Sequence, residues 1–130
     1  MVTPTSKNPS QIIQSVSFFT DYAEDPCAHL RLRGPMRQLG IKVLDGKIEN
    51  TINPEIISRS DIAVIQRDFP RDLQAYEKLV KLAQQEQKPI VYDLDDLLLL
   101  FPEEHPERYV RKYIESLLPM LQVLYEADLV

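Results

Sequence analysis

The chain has 130 residues, 44% apolar and 27% charged, with a formal net charge of −5, which are the proportions of one soluble globular domain. The acidic balance argues against a general nucleic-acid binder, which needs a basic face for phosphates, and the single thiol, Cys27, excludes an internal disulfide. No run approaches the ~18 apolar residues of a membrane span, and the polar start lacks the apolar core of a secretory signal, so a cytoplasmic location is expected, with peripheral membrane contact compatible.

Residues 1–14 read as a flexible leader and 15–130 as one domain. Ser15 to Thr20, β-branched and aromatic, predicts a first strand, broken by the turn residues Asp21 to Pro26. Ala28 to Leu39 predicts a helix capped by Gly40; Gly34-Pro35 inside it predicts a kink, or a helix starting near Pro35. Ile41 to Leu44 is a short second strand with Asp45-Gly46 as its turn. Asn53-Pro54 opens a brief helix through Ser58, and Asp61 to Gln66 is a third strand, almost continuously apolar as in strands covered on both faces.

Asp68-Phe69-Pro70 reads as a helix opening, an acidic cap with proline in the first turn. That helix runs to about Gln87 and buries Leu73, Tyr76, Leu79, Val80 and Ala83. Ile90 to Tyr92 is the fourth strand, leading into Asp93-Leu94-Asp95-Asp96. After a loop at 102–106, a long helix is expected over Glu107 to Glu126. Its predicted buried stripe is Val110, Tyr113, Ile114, Leu117, Leu121 and Leu124, with a kink at Pro119. Asp128 to Val130 reads as the start of a fifth strand, which suggests a domain cut from something longer. Strands alternating with helices mark a Rossmann-like three-layer α/β domain with a mostly parallel sheet.

In such sheets ligands bind beyond the carboxyl ends of the strands. The residues expected there are Asp21 and Tyr22, Asp45, Arg67 and Asp68, and Asp93, Asp95 and Asp96; Arg31 and Arg33 could face the same crevice. Extended backbone would put Asp93 and Asp95 on one side, where carboxylates can bind Mg²⁺, accept from sugar hydroxyls or act as a base. The plainer readings are a helix cap for Asp96 and an ion pair of Arg67 with Asp93 or Asp68. His29 and His105 have no partner at metal-ligand spacing, so no metal site and no cofactor are expected, and His105 reads as a surface residue. Cys27 lacks an evident base. The chain carries neither G-x-G-x-x-G nor G-x-x-x-x-G-K-[ST], and only 3 glycines, which weakens nucleotide binding by this domain alone.

Ala28-His29-Leu30-Arg31-Leu32-Arg33-Gly34-Pro35-Met36-Arg37-Gln38-Leu39-Gly40 resembles the first helix of bacterial glycosyltransferases of the GT-B fold, of the group 1, family-4-like kind. Asp61 to Arg67 resembles their D-hydrophobic-Q-R strand. Pro89 to Leu97, followed by Pro102 to Pro106, is similar to their acidic loop, and Ala127 to Val130 to the strand leading toward their second domain. The resemblance implies the acceptor half of a two-domain enzyme. Its partners would be a C-terminal donor-binding domain of the same parent chain, holding the nucleotide sugar, and a saccharide or lipid-linked acceptor. Asp21, Tyr22, Arg31, Arg67, Asp93, Asp95 and Asp96 would line the acceptor side. Alone, the domain would not transfer sugar. The chain departs from the family where Asp21 to Pro26 replaces a glycine-rich loop and where acids replace a histidine after the fourth strand, so the catalytic base is unassigned.

Val91 to Leu98 is also similar to the nucleophile motif of haloacid-dehalogenase-like phosphatases, in which one Asp attacks phosphorus, the second is the acid/base and Mg²⁺ bridges them. Leu97 stands where that family has Thr or Val, and little chain follows to carry its remaining acids. A non-enzymatic Rossmann-like interaction module is the third reading.

Overall fold

The computed structural model describes residues 12–21, 26–95 and 98–130. The leader expected over 1–14 lies mostly outside them, as do Tyr22 and Asp96. The elements in chain order are β1 Ser15–Phe19, α1 Pro26–Ala28, a π-helical stretch His29–Arg33, α2 Gly34–Gln38, β2 Lys42–Asp45, β3 Lys47–Ile48, β4 Thr51–Ile52, a 3₁₀ segment Pro54–Arg59, β5 Ile62–Gln66, α3 Leu73–Gln85, β6 Ile90–Asp93, a 3₁₀ turn Pro106–Tyr109 and α4 Arg111–Glu126. The main sheet has the order β2-β1-β5-β6, every neighbouring pair parallel. Leu129 adds a parallel bridge to Val91 at the β6 edge, where Tyr92 N–H donates to Leu129 O at 2.8 Å. The fifth strand is thus realised as one bridge.

Strand alternation sorts the core into two layers. Phe19, Ala63, Ile65, Ile90 and Tyr92 face Ile56, Ile57, the α3 residues Tyr76, Leu79, Val80 and Ala83, and Val123 of α4. Val16, Phe18 and Val64 face Ala28 and Leu32 on the opposite side. Burial on both faces is why these strands are nearly unbroken apolar runs. The buried hydroxyls are satisfied locally: Ser60 Oγ donates to Ser17 Oγ at 2.9 Å, and Ser17 Oγ donates to Ile62 O at 3.3 Å.

Two expected boundaries move. The helix expected to open at Asp68-Phe69-Pro70 opens at Leu73: residues 67–70 form a turn with a cis Phe69–Pro70 peptide, and Asp72, extended, accepts the Ala75 N–H at 2.8 Å as the true cap. The last helix starts at Arg111, not Glu107, because Val110 is extended between it and the 3₁₀ turn. Its buried side is Ser116, Pro119, Met120 and Val123, and the expected Val110, Ile114 and Leu121 are exposed. Ser116 tolerates burial because its hydroxyl donates to Tyr113 O at 2.6 Å, and proline offers an apolar ring. The β3–β4 hairpin, with Glu49 at φ 54°, was not expected from the sequence.

The Gly34-Pro35 step is absorbed by π geometry. Proline has no N–H and its ring collides with the carbonyl four residues back. Gly34 N–H instead donates five residues back, to His29 O. A Cβ on Gly34 would lie 3.0 Å from that oxygen, so the widened turn favours glycine there.

Candidate functional site

All four strands point their carboxyl ends at one rim. The chain leaves β1 toward β2 on one side and later returns to β5 on the other, so the switch point lies between β1 and β5. Thr20 and Gln66, both buried, close it: Thr20 Oγ1 donates to Gln66 Oε1 at 2.9 Å, and Gln66 Nε2 donates to Asp93 Oδ2 at 3.0 Å. Arg31 completes the chain, its Nε donating to Asp93 Oδ1 at 2.9 Å and Oδ2 at 3.0 Å, with a further contact through Nη2. Arg33, two residues on, points away from Arg31, as such residues do on a helix, and pairs with Asp45 at the end of β2 while its guanidinium covers the Phe18 ring. The helical segment therefore clamps both outer strands of the sheet through charge.

Burial raises the Asp93 carboxyl, but the hydrogen bonds from Arg31 and Gln66 and the charges of Arg31 and Arg67 outweigh it and hold its pKa below the usual carboxylate value. The bond to Asp93 correspondingly holds Arg31 above the ordinary guanidinium value. Burial, with the nearby Asp68 and Asp93 charges, pushes the Tyr92 phenol up; its hydroxyl donates to Arg67 O at 2.6 Å and fixes that turn.

The other half of the rim is a second set of pairs. Arg67 Nε lies 3.6 Å from Asp95, not against Asp93 or Asp68 as the sequence suggested. Arg71 Nε is 2.6 Å from Asp68 and 3.8 Å from Asp21, and Lys47 also pairs with Asp21. Asp21, Arg31, Arg67, Asp93 and Asp95 thus share one rim, but Asp93 and Asp95 take separate partners.

Beside this half lies a cavity of about 280 Å³, lined by Arg67, Asp68, Arg71, Leu98, Phe101, Glu107, Val110, Lys112, Tyr113 and Met120. A second hollow, lined by Arg67, Leu98, Leu100, Phe101, Pro102, His105 and Glu107, adjoins it through shared residues. The wall between is an aromatic stack. Phe101 lies between His105 and Tyr113, with centroids 4.2 and 4.4 Å away and rings within 20° of parallel. His105 is therefore half-buried rather than a plain surface residue, and its Nδ1 accepts the Glu107 N–H at 3.2 Å. Arg108 fixes the loop from behind by donating to Phe101 O. Of the carboxylates lining the cavity, Asp68 pairs through Oδ2 with Arg71, and its Oδ1 is buried without a hydrogen-bond partner.

The sequence reading missed Gln66, Arg71, Lys47, Phe101 and Tyr113. Arg71 and Tyr113 were absorbed into helices; the i,i+3 spacing of Asp68 and Arg71 was the available signal. Among the described residues, no three His, Cys, Asp or Glu side chains converge on a metal position, and no helix is long and apolar enough to cross a membrane. Fold and rim together define an α/β domain with a parallel four-stranded sheet flanked by helices, an arrangement compatible with a Rossmann-like domain, with a cleft at its carboxyl edge. No protein-family model, curated protein or solved structure matches the chain.

Proposed function

We propose that the chain is the acceptor-side domain of a GT-B-type glycosyltransferase, and that a saccharide or lipid-linked saccharide acceptor occupies the cavity beside Asp68 and Tyr113. The nucleotide-sugar donor belongs to a second domain of the parent chain, as the sequence resemblance implies. A sugar offers apolar C–H faces and hydroxyls that both donate and accept. The aromatic stack suits the first, and the fixed Arg67, Arg71 and Asp68 groups suit the second. The observation that carries the reading is a cavity walled by stacked rings and lined by Asp68, whose buried Oδ1 is an acceptor lacking a donor. In the acceptor complex a sugar hydroxyl donates to it, which relieves the cost of burying it alone.

The phosphatase reading fares worse on geometry. Its nucleophile would be Asp93, whose two oxygens are both taken by Arg31 and Gln66.

Calorimetric titration against a panel of mono- and oligosaccharides tests the proposal. Binding should fall about tenfold in Asp68→Asn, the worth of one charge-assisted hydrogen bond, and more modestly in Tyr113→Ala. Absence of binding across the panel, or Mg²⁺-dependent hydrolysis of p-nitrophenyl phosphate that Asp93→Asn abolishes, contradicts it.

A further inference from the structure

The cavity and the hollow beside it measure about 280 and 350 Å³. Each alone stands near the lower limit of small-molecule sites, about 300 Å³, and joined they fall inside the usual range. Arg67, Leu98, Phe101 and Glu107 line both spaces, whereas Tyr113 lines the cavity and His105 the hollow. The two spaces are therefore strung along the side of one aromatic stack, from His105 past Phe101 to Tyr113.

The stack sets a length. Its ring centroids step by 4.2 and 4.4 Å. A pyranose, built on C–C bonds of about 1.5 Å, is roughly 3 Å across its ring. One unit spans one step, and two linked units are needed to run past both. The chemistry along the run suits them. Asp68 lines the cavity, and its buried Oδ1 lacks a donor. His105 gives the hollow a donor: its Nδ1 accepts the Glu107 N–H, so the neutral imidazole carries its proton on Nε2. Glu107, whose carboxylate no described residue takes as a partner, stands where the spaces meet. Leu98 and Phe101 make the shared wall apolar, as the carbon faces of a sugar require.

We propose that the acceptor of this domain is an oligosaccharide of at least two linked units, one seated in the cavity with Tyr113 and the next in the hollow with His105, the link passing Glu107; this rests on the saccharide reading of the cavity. His105 is then the residue that reads acceptor length, because it belongs to the second unit alone.

Calorimetry on the full chain compares glucose, galactose and N-acetylglucosamine with maltose, cellobiose, lactose and chitobiose. The best disaccharide should bind at least about tenfold more tightly than either of its units. His105→Asn keeps an acceptor for the Glu107 N–H but removes the ring from the hollow, and should reduce that ratio to about twofold. Asp68→Asn should weaken both kinds of ligand and leave the ratio unchanged, as would general damage to the loop. By NMR, saturation transferred from the protein should reach protons of both units of the disaccharide. Equal affinity for single and paired units, a ratio that His105→Asn leaves untouched, or saturation of one unit only overturns the two-unit site while the saccharide reading stands. Silence across the whole panel overturns both.

Discussion

Arg31 and Asp93 are 62 residues apart in sequence, and their pairing ties the first helical segment to the end of β6. Its consequence is an acid-sensitive element of stability. The Asp93 carboxyl titrates below its unfolded value of about 3.9. Its contribution is therefore complete above that pH and disappears as pH falls through the lowered native value. Asp61 acts with the same sign: its Oδ2 accepts the Gln14 and Ser15 N–H groups at 2.8 and 3.0 Å, and these bonds hold its pKa down. Asp93→Asn should cost about 1 kcal/mol at neutral pH, discounted because Arg31 is partly solvated, and should flatten the stability profile below pH ~4. Urea unfolding followed by circular dichroism across pH 2.5–7, a range set around the ordinary carboxylate value, checks both. Such residue contacts were only half legible in the sequence. Strand ends predict that these acids and arginines meet, but which arginine meets which acid depends on helix phase. The π geometry at His29–Arg33 sets that phase.

At the scale of elements, legibility followed burial. β1, β5 and β6 were readable to within a residue because strands covered on both faces concentrate β-branched and aromatic residues. The start of α3 was not, because two aspartates compete for the cap. Asp68 precedes a proline and looks suitable, yet its Oδ2 is held by Arg71, and Asp72 caps instead. Asp72→Ala should therefore lower the urea midpoint by an amount worth about 1 kcal/mol without altering the slope. The phase of α4 was misread because that helix is apolar on two sides, and hydrophobic spacing alone does not say which side faces the sheet. Gly46 is a sharper case of local dictation. A Cβ there would sit 2.1 Å from a ring carbon of the fully buried Phe19. Gly46→Ala should cost at least about 2 kcal/mol, read as a fall in thermal midpoint.

For the whole molecule, parallel strands with a switch point gather side chains from distant segments at one edge, and this much was foreseeable from the alternation of strands and helices. The cavity was not, since its wall is built by Phe101, His105 and Tyr113, which belong to a loop and a helix rather than to strand ends. The proposed function requires that this cavity take a sugar. Amide NMR spectra recorded while a binding saccharide is added test it most directly. Shift changes should be confined to Arg67, Asp68, Arg71, the 98–105 loop and Tyr113, with the exposed face of α4 and the Arg33–Asp45 end undisturbed. Changes centred on the Arg31–Asp93 pair, with those cavity residues silent, would contradict it.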